Sequence, residues 1–151
     1  TVTDCSAAYY GGVVYAYENS GAVSIISSNL TSCSARYGGV VYAEESGAVS
    51  IIDSAMTGCS AAFGGVVASS ILPSDHPSKV SENSGAVSII GSHVTGCSAD
   101  IYGGVVSARN SGAVSIIGSH VTGCSADNPL SAWTGLAYTG SGGVVHAYES
   151  G

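Results

Sequence analysis

Basic residues are almost missing from this chain. Arg36, Arg109 and Lys79 stand against ten acids, for a net charge of −7. Nucleic-acid phosphates demand clustered Lys and Arg, so this composition excludes nucleic acid as a partner. A polybasic membrane patch is excluded on the same ground. Charge of either sign is scarce, at 9% of residues, while 45% are hydrophobic and drawn mainly from Val, Ile and Ala. Disordered chains have the opposite balance, so disorder is a poor fit. Long apolar runs are also missing. The longest, such as 22–26, hold five or six residues, against the ~20 of a spanning helix, so no membrane span is expected in this segment. No stretch carries ten or more residues of 3.6-residue periodicity, which excludes a helical repeat. No secretory leader pattern is visible at Thr1. The chain starts and stops in mid-pattern, which predicts one segment, 1–151, of a longer repeat protein.

What is present is repetition. GGVV starts at Gly11, Gly38, Gly64, Gly103 and Gly142. SGAVSII starts at Ser20, Ser46, Ser84 and Ser111, and CSA at Cys5, Cys33, Cys59, Cys97 and Cys124. Residues 84–100 and 111–127 are identical. The uninterrupted period is 26 or 27 residues, and the two longer intervals trace to inserts at 69–83 and 127–141. A fixed period with extra length confined to loops is the mark of a solenoid. Val, Ile, Tyr and Thr favour strands, and Gly-Gly and Ser-Gly mark turns. The spacing predicts an all-β, right-handed parallel β-helix with three short strands per coil (GGVVYA, GAVSII and one through SNLTSCSA) and five to six coils. At the ordinary strand spacing the rod would be roughly 26 Å long. Stacking turns recurring positions into files. The second valine of GGVV, the valine and first isoleucine of AVSII, and Leu30/Met56/Val94/Val121 are expected inward. Tyr10, Tyr37, Phe63 and Tyr102 are expected as an aromatic file at a corner, and the variable Tyr15/Tyr42/Ala68/Ser107/His146 toward solvent.

These phrases resemble the polymorphic outer-membrane protein repeats, which carry GGA[IV] and FxxN tetrapeptides and belong to the pectin-lyase-like β-helix superfamily. GGVV stands where GGA[IV] would. LTSC, MTGC and the two VTGC copies stand where FxxN would, with Cys in place of Asn in each. The resemblance covers nearly the whole chain apart from the inserts. It implies the β-helix fold and a role in surface adhesion or architecture, not catalysis, at the cell surface or outside the cell.

The residues offer several sites. Cys5, Cys33, Cys59, Cys97 and Cys124 occupy one position in five coils. They can form a buried file of thiols or disulfides between coils, although an odd number leaves one unpaired and in-register side chains point in parallel. Zinc spacing fits them poorly. His93 and His120 are expected on the outer face in line with Asn29 and Ala55, as a tolerant surface pair rather than a metal or pH site. Glu18, Glu44, Glu45, Glu82 and Glu149 make an acidic edge that can be a calcium array or a solvated rim. Asn29-Leu30-Thr31 is a glycosylation sequon. Trp133, Leu136 and Tyr138, in the second insert, are candidate partner contacts. No catalytic set recurs, and no enzyme activity, metal or cofactor is expected. The expectation is a structural or adhesive segment of a surface protein or filament. Its partners would be copies of itself, neighbouring subunits and glycans. An ice-binding solenoid is the alternative, on the Thr31/Thr57/Thr95/Thr122 rank and the Ser24/Ser50/Ser88/Ser115 rank. A degenerate polysaccharide-binding or lyase-like β-helix is the second.

Overall fold

The computed structural model describes residues 1–18, 20–69, 84–109, 111–126 and 144–148. A leading strand, β1 (Val2–Thr3), precedes four repeating sets. The first is β2 (Val14–Tyr17), β3 (Val23–Ile26), β4 (Asn29–Thr31) and β5 (Ser34–Tyr37). The second is β6 (Val41–Glu44), β7 (Val49–Ile52), β8 (Ala55–Thr57) and β9 (Ser60–Phe63). The third is β10 (Val67–Ser69), β11 (Val87–Ile90), β12 (His93–Thr95) and β13 (Ser98–Tyr102). The fourth is β14 (Val106–Arg109), β15 (Val114–Ile117), β16 (His120–Thr122) and β17 (Ser125–Ala126), and β18 (Val145–Tyr148) follows. Equivalent strands pair in parallel into four sheets, ordered β2-β6-β10-β14-β18, β3-β7-β11-β15, β1-β4-β8-β12-β16 and β5-β9-β13-β17. The chain is a parallel β-helix of stacked coils.

Each coil has four strands, where the sequence predicts three. The expected third strand is cut before its cysteine by a residue in the left-handed region: Ser32 (φ 54), Gly58 (φ 62), Gly96 (φ 61) or Gly123 (φ 61). Such a residue cannot continue a strand, so it makes a corner. At Ser32 the corner carries a Cβ, and an L-residue in this region costs about 1–2 kcal/mol. Ser32→Gly, copying the neighbouring coils, is therefore expected to raise stability by about 1 kcal/mol. Urea unfolding checks this, and an unchanged or lower midpoint contradicts it.

The Gly-Gly corner is the tightest. Gly38 has φ 63, and a Cβ on Gly39 would lie 2.3 Å from the carbonyl oxygen of Gly65 in the next coil. This corner lets the chain reverse closely enough to bury both valines that follow: Val40, Val41, Val66, Val67, Val105 and Val106 are fully buried. They join Val49, Ile51, Met56, Val87, Ile89 and Val94 in one continuous core. The registers run as the repeat requires, for example Val49↔Val87, Ile51↔Ile89 and Met56↔Val94.

The same corner produces an outer layer. Tyr42, Ala68 and Ser107 are buried, not turned to solvent as the sequence suggests. The aromatics before the first four Gly-Gly pairs stack on rings of the next coil, over the outside of this sheet. Tyr10 stacks on Tyr42 (ring centroids 4.9 Å), Tyr37 on Phe63 (5.1 Å), and Tyr102 on His146 (4.4 Å). Positional variability reflects what the neighbouring ring leaves to be filled.

A serine file, buried at Ser54 and Ser92 and half-buried at Ser28 and Ser119, closes another corner. The N–H groups of Ser28, Ser54 and Ser92 donate to the Oγ of Ser54, Ser92 and Ser119 one coil on, each at 3.1 Å. The Oγ atoms of Ser28, Ser54 and Ser92 donate in turn to the carbonyls of Ile26, Ile52 and Ile90 (3.0, 2.8 and 2.9 Å). The hydroxyls thereby satisfy backbone groups that the corner leaves outside the ladders.

Candidate functional site

The five cysteines stand in one file. The N–H groups of Ser34, Ser60, Ser98 and Ser125 donate to the carbonyls of Cys5, Cys33, Cys59 and Cys97, so successive cysteines lie one coil apart. Cys33, Cys59 and Cys97 are buried within the core, with Cys5 and Cys124 half-buried at its ends. All five are free thiols. Each Sγ donates weakly to the carbonyl two residues earlier, at 3.5–3.8 Å, as in Cys33 to Thr31 (3.6 Å) and Cys97 to Thr95 (3.7 Å).

Burial pushes the Cys33 thiol up to about 11. A hydrogen bond shared with Cys59, together with burial, holds the Cys97 proton in place. The same bond, accepted by Cys59, lowers that thiol against the effect of burial. Cys33 sets a direction for pH. Its folded value lies above the unfolded one, so its contribution is complete below the unfolded value of 9.0 and lost as pH rises through about 11. The melting temperature is expected to fall from pH 9 toward 11, and less steeply in Cys33→Ala. Equal slopes would remove Cys33 from the account. Without denaturant, a thiol reagent is expected to modify Cys5 and Cys124 well before the other three.

Outward positions form ranks. On the β1-β4-β8-β12-β16 sheet Thr3, Thr31, Thr57, Thr95 and Thr122 stand in direct register, with 3.5 Å between the hydroxyls of Thr95 and Thr122. Beside them run Asn29, Ala55, His93 and His120, also in register, with the two imidazole centroids 6.0 Å apart. Asn29 is exposed, so the sequon faces solvent. On the β3-β7-β11-β15 sheet Ser24, Ser50, Ser88 and Ser115 form one rank. Ile26, Ile52, Ile90 and Ile117 form a second that the sequence reading missed. Strict alternation in Val-Ser-Ile-Ile was its signal: if the first isoleucine points in, the second must point out.

Constancy between coils is not confined to the core. The inward Val and first Ile of Val-Ser-Ile-Ile repeat unchanged while the inward file Leu30, Met56, Val94 drifts, and the outward Ser, Ile and Thr ranks also stay the same in every copy. Packing accounts for constancy inside a core, not on an outer face.

Two grooves on the described surface are open and shallow. An open groove of about 360 Å³ runs past Ala35, Arg36, Ser60, Ala61 and Asp100. A second, of about 460 Å³, is lined by Asn29, Asp53, Ser54, Ala55, Gly91 and His93. Among the described residues no group of three or more His, Cys, Asp or Glu is placed to hold a metal ion. Glu18, Glu44 and Glu45 lie at one edge, with Glu18 and Glu45 themselves at left-handed corners (φ 35 and 49). Glu82 and Glu149 lie outside the described residues, as do Trp133, Leu136, Tyr138 and both inserts apart from Ser69. No helix among the described residues is long and apolar enough to cross a membrane. Comparison with protein-family models, curated proteins and solved structures finds no match for this chain.

Proposed function

We propose that this chain is a structural or adhesive β-helical rod of an extracellular or cell-surface assembly, acting through its outer faces and without a catalytic site. One observation carries the reading: the outward Ser, Ile and Thr ranks are unchanged from coil to coil, where core packing imposes no such constancy. A face kept constant at every rung suits a partner that repeats at the same interval. The resemblance of GGVV and the xTxC phrases to polymorphic outer-membrane protein repeats supports the surface location, and so does the exposed sequon at Asn29. Glycans and neighbouring subunits are the partner classes it implies. Labelling intact source cells with a membrane-impermeant amine reagent tests the location. The chain should be labelled before lysis; labelling only after lysis rejects a surface role. Turnover of a polysaccharide by the purified chain rejects the non-catalytic role.

The threonine rank favours a second reading, ice binding. Five threonines in register on one parallel sheet present hydroxyl and methyl groups at a constant rung spacing. Thermal hysteresis that disappears in Thr95→Lys would select it. A freezing gap equal to that of an inert protein would reject it.

A further inference from the structure

The serine and isoleucine ranks on β3, β7, β11 and β15 point to a specific partner. Each strand reads Val-Ser-Ile-Ile. In the middle coils the valine and first isoleucine are fully buried. The second isoleucine is outward: Ile26, Ile90 and Ile117 are 57%, 36% and 58% exposed. Single exposed isoleucines are ordinary, but a continuous file is an apolar patch that asks for a cover. Among the described residues this face carries no charged side chain; the nearest acid along it, Asp53, sits on the corner after Ile52. Two copies of a chain with net charge −7 repel one another over most of their surface, and here they can meet without opposed acids.

The two ranks are also self-complementary. Serine and isoleucine stand two residues apart, ~6.6 Å along the strand. A two-fold axis parallel to the coil stack lays the isoleucine file of one rod over the serine file of the other, large against small. In-register ladders of identical side chains interdigitate in this way in steric zippers, and a two-fold contact of this kind is isologous and closed. We propose that this face docks a second copy of the same chain, rod beside rod with parallel axes. The proposal rests on the reading of the chain as an assembly element and names the partner for one of its faces. Four rungs of a face about 13 Å wide bury roughly 250 Å² per partner, well below the ~800 Å² of a standard interface. Pairing of one chain is therefore weak and strengthens with every added coil.

Cross-linking tests the arrangement. Ser88→Cys, Ile90→Cys and the Thr95→Cys control are built in a Cys5→Ser/Cys124→Ser background, because those two thiols are accessible, and the first two chains are mixed at high concentration and oxidised with oxidised glutathione. Two thiols form one disulfide, and glutathione disulfide is reduced to two glutathiones. The mixed dimer is expected at least threefold above the statistical share relative to either homodimer, with Thr95→Cys on the threonine sheet staying monomeric. Statistical mixing, or equal cross-linking through Thr95→Cys, overturns the proposal. Sedimentation equilibrium of Ile52→Thr/Ile90→Thr, which keeps β-branched residues in the strands, is the second arm. Self-association is expected to weaken at least threefold. A lower melting temperature with unchanged association means that the isoleucines only stabilise their own sheet, and overturns it. Ice or glycan binding by this face in a strictly monomeric chain also overturns it. The surface reading fails separately, in the cell-labelling experiment.

Discussion

Gly39→Ala is expected to cost about 4 kcal/mol or more and to leave the chain unfolded or lacking its central coils. The new Cβ would lie 2.3 Å from the Gly65 carbonyl oxygen and 2.8 and 3.0 Å from the Ser60 carbonyl oxygen and nitrogen. All three are backbone atoms, so no rotamer change relieves the contact. Local retreat is blocked as well, because Gly65 itself faces the Gly104 oxygen, where a Cβ would stand at 2.3 Å. Any shift that makes room at Gly39 must pass along the stack. Coils of a solenoid are stabilised mainly through their neighbours, so a break here separates β2–β5 from the rest. Gly21→Ala is the control. A Cβ there meets nothing within 4 Å, and the substitution is expected to stabilise by about 0.5 kcal/mol through the unfolded chain. Thermal or urea unfolding of the two variants should diverge in sign. A Gly39→Ala protein within about 1 kcal/mol of the parent would mean that the coils do not stack this closely.

The stacking was legible because it is a comparison of the chain with itself. Val49, Val87 and Val114 occupy one phrase, and the paired registers follow from aligning the phrases. The fourth strand was hidden by composition: Thr-Gly-Cys at 57–59, 95–97 and 122–124 looks like part of a strand, and only the left-handed angle at the glycine makes it a corner. Thr31-Ser32-Cys33 turns in the same way without a glycine, so residue type alone did not mark the position. The outer layer was misread for a different reason. Variation from Tyr42 to Ala68 to Ser107 suggests solvent, but ring size in one coil compensates for ring size in the next, and such a trade is visible only in three dimensions. For the candidate surface, the threonine and first serine ranks were readable from alternation. The outward isoleucines were missed because an apolar residue in a repeat is assigned to the core by default, whereas the pleat admits only every second residue.

Tyr42→Ala tests that outer layer. Its ring is fully buried although it projects from the outside of β6. It lies 4.9 Å from Tyr10, 5.6 Å from Tyr15 and 5.7 Å from Tyr37, centroid to centroid. Its hydroxyl donates to Glu44 Oε2 at 3.2 Å. Truncation removes the ring that the other three pack around, and a loss of about 3 kcal/mol or more is expected, as for aromatic truncations in a core. Ala68 already occupies the next rung and is buried, but there Tyr37, Tyr42 and Phe63 supply the cover, so it does not make alanine tolerable at 42. Tyr42→Phe should lose only the bond to Glu44, about 1–2 kcal/mol. Alkali gives a second readout. Burial, and then the Glu44 carboxylate, push the Tyr42 phenol well above 10, so its contribution is complete below the unfolded value and is lost as pH rises beyond it. Burial also lifts the Tyr15 phenol to about 12, so ultraviolet titration of the parent should show, later than Tyr15, a tyrosine that ionises only with unfolding and is absent in Tyr42→Phe. If Tyr42→Ala is nearly neutral, or that late tyrosine persists in Tyr42→Phe, the aromatic file is a surface ornament and the coils are held by the inner core alone.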